Sequence, residues 1–284
     1  MGLFDGIKSD DRSRPEAGAF GPFRLHELIN SGGMADLWLA SNQKEEPCAL
    51  RLMHRHLRYD FTAKRRFVRG CEILSKIHNH EQVIGYYSHG KINGYLYLQM
   101  EYVEGGNMRE LFNRNDPILV DNVWSILDDM AQALLHVHDS GFMHLDFKPE
   151  NLILTRNGQL RLIDFDLALP RPKQPEKLWK YAGTPAYMSP ERLLHQAVDH
   201  RADIFAWGVV AYELVTRSRP FIGDTTEDIV RKQTDWSHDY VPPRERNPDL
   251  SVGVEKVIVR CLERDPEKRY PDMSFLLQDL RTAA

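Results

Sequence analysis

The sequence predicts an α+β protein in which a small antiparallel sheet and one helix precede a larger, mainly helical part. Three observations carry that expectation. Residues 23–29, 37–40 and 49–53 are short apolar runs separated by brief turns, the pattern of an antiparallel meander. A helix is expected over residues 61–77. Beyond Asp121, which could cap a helix, Trp124, Leu127, Ala131, Leu134, Leu135 and Val137 recur at helical spacing as far as Gly141, and residues 203–215 open a second, apolar helix. A further strand is expected over residues 95–98.

Composition narrows the class. Hydrophobic residues at 42% and charged residues at 27% are ordinary for a soluble globular chain large enough to bury a core. A net charge of -4 argues against a general nucleic-acid binder. No apolar run has the length of a membrane span, and no signal-peptide core opens the chain. Met1-Gly2 is followed by Gly6 where a myristoylation signal needs Ser or Thr. The three cysteines, Cys48, Cys71 and Cys261, are odd in number and far apart, which suits unpaired thiols in a reducing cytoplasm. Residues 1–19 are polar, glycine-containing and mixed in charge, and read as a flexible tail.

The chemistry concentrates between His144 and Asp164. Two apolar runs flank Asn157-Gly158, a strong signal for a two-residue hairpin turn. Such a turn would set Asn151 opposite Asp164, with Cβ atoms about 5 Å apart. An amide oxygen and a carboxylate held that close suit a hard cation such as Mg²⁺. Asp146 and Lys148 lie on the loop leading into the first strand. Taken without context, the same stretch is a hairpin with polar residues at its open end.

Its wording decides between the two. His144-Leu145-Asp146-Phe147-Lys148-Pro149-Glu150-Asn151 and Asp164-Phe165-Asp166 resemble the catalytic loop and metal-binding motif of the protein kinases. The resemblance extends from about Phe20 to the C-terminus, in the style of the bacterial Ser/Thr kinases. It implies a two-lobed fold, with residues 20–103 as a small β-sheet lobe carrying one helix and ending in the hinge, and residues 104–284 as the larger helical lobe. Gly183-Thr184-Pro185-Ala186-Tyr187-Met188-Ser189-Pro190-Glu191 resembles the peptide-binding segment, and Arg269 is expected to pair with Glu191.

The resemblance further implies ATP and Mg²⁺ as cofactors and a protein as substrate. Asn151 and Asp164 would hold the metal. Asp146 would orient the attacking hydroxyl and accept its proton, Lys148 would steady the γ-phosphate, and Thr184 would buttress both. Nucleotide contacts are expected from Ser31, Gly32, Gly33, Leu37, Ala49, Arg51, Met100, Glu101, Val103 and Ile153. In the family the adenine bonds the hinge backbone, here at Glu101 C=O and Val103 N–H.

Several positions depart from the family pattern. Asn30 and Ala35 stand at two of the three glycine positions of the phosphate-covering loop. Arg51 replaces the strand lysine, and Gly70 stands about where the lysine's glutamate partner is expected; Glu72 lies roughly 200° further around the helix. Arginine keeps the charge but delivers it through a longer planar fork. Leu145 replaces the catalytic-loop arginine, and between Leu167 and Gly183 the only hydroxyl is Tyr181, so no activation by phosphorylation of that segment is expected. Asp166 replaces a glycine, through tuned metal affinity or through drift. Two functional readings follow: a Ser/Thr protein kinase with an altered nucleotide clamp, or a pseudokinase scaffold. A third feature stands apart. Arg51, Arg55, Arg58, Lys64, Arg65, Arg66 and Arg69 face one acid, Asp60, which reads either as a solvated helix face or as a site for an acidic partner.

Overall fold

The computed structural model describes residues 14–178, 182–237 and 240–283, and the chain divides into two compact units. The first comprises residues up to 75 and 85–103; the second comprises 76–84 and 104 onward. Residues 76–84 thus group with the helical unit rather than with the sheet that surrounds them in sequence.

The first unit is a six-stranded antiparallel sheet in the order β1-β2-β3-β4-β6-β5. Its strands are β1 (Gly18–Phe20), β2 (Phe23–Ser31), β3 (Ala35–Ser41), β4 (Pro47–Met53), β5 (Tyr86–Ile92) and β6 (Tyr95–Met100), with helix α1 (Phe61–Ile77) between β4 and β5. Alternation places Phe20, Phe23, Leu25, Trp38, Leu50, Leu52 and Tyr95 in one buried cluster. Phe20 and Tyr95 meet edge to face there, with centroids 5.7 Å apart. The flexible tail expected over residues 1–19 is corrected at its end: Gly18–Phe20 pairs with β2, and Arg14 is held by Asp36 and Ser31. Residues 1–13, including the Met1-Gly2 start, lie outside the described residues.

The second unit begins its ordered elements with β7 (Gly105–Asn107), α2 (Met108–Arg114), α3 (Ile118–Asp121), α4 (Val123–Asp139), β8 (Phe142–Met143), β9 (Leu152–Thr155) and β10 (Leu160–Leu162). There follow β11 (Leu169–Pro170), β12 (Glu176–Lys177), α5 (Pro190–Leu193), β13 (Ala197–Val198), α6 (Arg201–Thr216), α7 (Thr226–Thr234), α8 (Pro243–Arg246), α9 (Val252–Cys261) and α10 (Met273–Thr282). Helix α6 is buried all round from Ala202 to Val215, its acids Asp203 and Glu213 included, and α4 packs beside it. Polar side chains cap the surrounding helices: Thr225 on α7, Ser251 on α9 and Asp272 on α10 each accept a backbone N–H of the first turn. Asp121 does not cap α4. It is the last residue of α3, and Asn122 occupies the cap position. Cys48, Cys71 and Cys261 are buried as thiols rather than disulfides. No helix among the described residues is long and apolar enough to cross a membrane.

The hairpin of β9 and β10 also needs correction. Its pairs are Leu152↔Leu162, Ile153↔Arg161 and Leu154↔Leu160, one residue away from the expected register. The reversal is a three-residue loop, closed by Thr155 N–H and Gly158 N–H on Gln159 C=O and Thr155 C=O, both at 2.9 Å. A two-residue turn of the expected type needs positive φ at both central residues, and of the pair only Gly158 has it (φ +77°). Asn151 therefore stands opposite Ile163, whose N–H donates to its carbonyl at 2.9 Å, and not opposite Asp164. It belongs to a tight 3-10 turn, Pro149–Asn151, that interrupts strand alternation ahead of β9.

Candidate active site

The second unit gathers four of the five expected catalytic side chains directly. Lys148 Nζ lies 2.8 Å from Asp146 Oδ2 and donates to Thr184 Oγ1 at 3.2 Å. Asn151 Nδ2 donates to the backbone carbonyl of Asp146 at 2.8 Å and to its Oδ2 at 3.0 Å. The 3-10 turn that spoiled the simple hairpin geometry is what swings Asn151 back onto the loop. Oδ2 of Asp146 thus receives two donors. Among the described residues nothing donates to Oδ1, on whose side stands Gly183 (φ +136°), where a Cβ would lie 3.6 Å from that oxygen.

Behind this group stands a residue the sequence reading used only to open a helix. Asp203, in the first turn of α6, is buried; its Oδ2 accepts His144 N–H at 2.8 Å and His138 Nε2 at 2.9 Å, and its Oδ1 accepts Leu145 N–H at 2.8 Å. Burial pushes this carboxyl up, but the hydrogen bonds from His138 and the Leu145 backbone outweigh it and hold the group below its ordinary range. His144 is fully buried, and burial pushes its imidazole below the ordinary value. Its Nδ1 accepts Asp146 N–H at 3.2 Å while Nε2 donates to Ile163 C=O at 3.2 Å, so one neutral ring ties the Asp146 loop to the residue before Asp164.

Leu145 and Asp164 both adopt positive φ (61° and 63°), a costly conformation for such residues. At Leu145 it is enforced from both ends, by Asp203 on its N–H and by Arg192 Nη1 on its C=O at 2.7 Å. Arg192 Nη2 also donates to Ala182 C=O at 2.8 Å, tying the loop to the segment before Thr184. The Leu145 side chain, where the family has arginine, is buried with Met143, Leu178, Val198 and Ala202. The segment beyond Asp166 is further pinned by β11 on β8 and β12 on β13. Tyr181 lies outside the described residues. At Asp164 itself, Oδ1 accepts Asp166 N–H at 3.2 Å, and Asp166 is buried.

A second group the sequence reading missed centres on Arg109. It donates to Glu150 Oε1 at 3.0 Å, to Glu213 Oε1 at 2.8 Å and to the Tyr187 hydroxyl, which itself donates to Glu213 Oε2 at 2.7 Å. Burial pushes the Tyr187 phenol up, well clear of ionisation at neutral pH. This network joins α2, the turn that holds Glu150 and the turn that holds Tyr187 to α6. Glu191 and Arg269 form the expected pair, doubly bonded at 2.9 and 2.8 Å and fully enclosed.

The nucleotide set lies mostly in the first unit. Gly32 N–H closes the glycine turn on Ala35 C=O at 3.0 Å, and Ser31 Oγ donates to Asp36 Oδ1 at 2.6 Å, so this hydroxyl braces the turn. Leu37, Ala49 and Arg51 sit on β3 and β4, with Arg51 opposite Leu37 and Leu98. The Arg51 guanidinium lies over the Phe67 ring of α1, 5.4 Å from its centroid. Gly70 is buried on the same helix while Glu72 is exposed, so Glu72 does not take up the missing partner's place. Met100 ends β6, and Glu101 closes onto Gly85 through its N–H (2.8 Å) and its Oε2 (3.0 Å), ahead of Val103. Ile153, in the second unit, is half-buried between Arg161 and Asn107.

The residues expected to hold a divalent metal fit one. Asn151 spends its amide nitrogen on Asp146, which leaves the amide oxygen as the coordinating end, and Asp164 adds a carboxylate; both are hard oxygen donors of the kind Mg²⁺ takes beside phosphates.

Comparison with known proteins identifies the family. The family described as "Protein kinase domain" matches residues 23–279. The chain is 30% identical over 266 residues to the serine/threonine-protein kinase PknB of Mycolicibacterium smegmatis, covering 91% of this chain and 42% of that protein. It is 30% identical over 268 residues to a probable serine/threonine-protein kinase of Clostridium acetobutylicum (91% and 39%), and 28% identical over 270 residues to one of Streptomyces coelicolor (92% and 39%). The chain thus spans about two fifths of the length of these relatives. With its sheet-and-helix first unit, its helical second unit and the Asp146 group in place, the chain belongs to the protein kinase family.

Proposed function

We propose that the chain transfers the γ-phosphate of ATP, with Mg²⁺, to a Ser or Thr hydroxyl of a protein substrate, and that it does so with an altered nucleotide clamp. The observation that carries this reading is the Asp146–Lys148–Asn151–Thr184 group, assembled as phosphoryl transfer requires. Asn151 and Asp164 would hold the metal, which when bound supplies charge neutralisation between the phosphates. Asp146 Oδ2 is occupied by Lys148 and Asn151, so Oδ1 receives the substrate hydroxyl and takes its proton as the new O–P bond forms and ADP leaves. Lys148, fixed by Thr184 and Asp146, carries positive charge to the transferred group. Mg²⁺-ATP should raise the melting temperature, and labelled phosphate should reach a generic protein acceptor. Thermal stabilisation without transfer would establish the second reading, a nucleotide-binding pseudokinase scaffold.

That second reading is favoured by one observation: Arg51 rests on Phe67 and the helix offers a buried Gly70 where the family pairs a glutamate. If this clamp limits turnover, Arg51→Lys with Gly70→Glu should raise kcat/KM for ATP by about 10²-fold, the scale of one well-placed transition-state donor. Gly70→Glu alone should raise it less than the double variant, because Arg51 delivers its charge through a planar fork over Phe67 rather than through an ammonium. Steady-state kinetics of the three variants check this, and an unchanged double variant would remove the clamp as the cause.

The segment following Asp166 should work without phosphate. Leu145 and Leu178 share one apolar cluster, which can order the segment as a phosphate–arginine contact does elsewhere in the family. Phosphatase treatment should leave activity unchanged, whereas Leu178→Asp should lower it about tenfold or more by placing a charge in that cluster. A stoichiometric phosphate on the segment, with activity depending on it, would defeat this account.

A further inference from the structure

The basic run over residues 51–69 resolves into separate parts once folded. Arg51 turns onto Phe67, but Arg55, Arg58 and Lys64 converge with Lys91, from the β5–β6 hairpin, on a cavity of about 70 Å³. His54 and Leu96 complete most of its wall. No acid lines it. Among the described residues none of the four cations makes an ion pair, and the two adjoining acids are spent elsewhere. Asp36 is buried against Arg14, Ser31 and His54; Asp60 accepts the N–H groups of Thr62 and Ala63 at the start of α1. Four like charges brought together without a counter-charge repel one another, and a multiply charged anion is what relieves them. Two of these cations also lie against exposed aromatic rings: Arg58 is 4.7 Å from the centroid of Tyr59, 76% exposed, and Lys64 5.9 Å from that of Phe61, 83% exposed.

We infer that this cleft is a binding site for a phosphorylated side chain on a partner peptide, with an apolar residue next to the phosphate packing on Tyr59 and Phe61. A phosphoryl dianion offers three acceptor oxygens to donors arriving from several directions, which a carboxylate does not. Cations gathered around a concavity favour an inserted group over a flat lipid surface. The exposed rings beside Arg58 and Lys64 favour a peptide over free phosphate. This site lies wholly in the first unit and does not depend on whether the chain transfers phosphate.

The test is retention of the full chain on an immobilised peptide library with one fixed phosphoserine and degenerate flanks, against the same library dephosphorylated, and on vesicles containing phosphatidylserine. The phosphorylated library should retain the chain, should be rich in apolar residues beside the phosphoserine, and should lose its hold as salt rises. Arg58→Ala with Lys91→Ala, both exposed, should keep the melting temperature and weaken binding of a selected peptide by about tenfold or more. Phe61→Ala should weaken it while leaving inorganic phosphate competition unchanged. Equal retention on both libraries, retention on neither, or vesicle binding that depends on the same cations and exceeds peptide binding would each overturn the proposal.

Discussion

Asp146→Asn should abolish most phosphate transfer while leaving the fold and nucleotide binding in place. The substitution preserves shape, so Asn151 can still reach the Asp146 backbone carbonyl at 2.8 Å, and the loop stays tied to α6 through His144 and Leu145 on Asp203. What disappears is the carboxylate. An amide at this position has no charge to hold Lys148, now 2.8 Å from Oδ2, and no basicity with which to take a proton. General-base catalysis by a positioned side chain contributes about 10²–10⁴-fold, so kcat should fall by that range with KM for ATP little changed. Steady-state kinetics and an Mg²⁺-ATP melting shift measured on the same preparation separate the two effects. If Asp146→Asn leaves a transfer rate unaltered, the activity does not arise at this site. Lys148→Ala should also slow transfer, but for a different reason, because Asp146 keeps its carboxylate while the transferred group loses the positive charge beside it. The split between the two variants therefore separates the base, Asp146, from the charge that Lys148 brings to the transferred group.

Much of this was legible in the sequence, and the failures share a physical cause. Motifs whose parts lie close in the chain carried through: Asp146, Lys148 and Asn151 are brought together by one loop, and the α1 limits 61–77 follow from an amphipathic run. The hairpin register was misjudged because Asn157-Gly158 suits a two-residue turn and equally the end of a three-residue loop, and only the sign of φ at Asn157 separates them. Asp203 and Arg192 were missed as positioning residues because their partners stand 58 and 47 residues away at Leu145. Asp203 did carry a signal, an acid at the head of a long, mostly apolar helix, since a carboxylate buried there needs donors. Glu213, in the same helix, carried that marker too, but its partners Arg109 and Tyr187 stand 104 and 26 residues away. β5 escaped notice for a local reason, as Tyr-Tyr-Ser-His-Gly-Lys-Ile has no fully buried position and no clean alternation.

Breaking the Glu191–Arg269 pair should be the most destabilising single change in the second unit. Both groups are enclosed, and removing one partner of a buried pair costs about 3–5 kcal/mol because the other charge is left uncompensated. In a chain of this size that is a fall of about 10 °C in melting temperature. The two single variants should differ. In Glu191→Leu the guanidinium keeps its hydrogen bonds to the carbonyls of Glu263 (2.7 Å), Arg201 (3.0 Å) and Arg264 (3.1 Å), so part of its charge stays solvated by the backbone. In Arg269→Met the Glu191 carboxylate loses both donors, and the same three carbonyls lose theirs. Arg269→Met should therefore melt lower than Glu191→Leu. The double variant should recover only the charge penalty, because the orphaned carbonyls remain. Arg269→Lys should behave more like Met than like arginine, since one ammonium cannot span two carboxylate oxygens and three carbonyls at once. Melting curves of the four proteins measure the ordering, and equal losses in both single variants would mean that the backbone bonds of Arg269 contribute nothing beyond the pair.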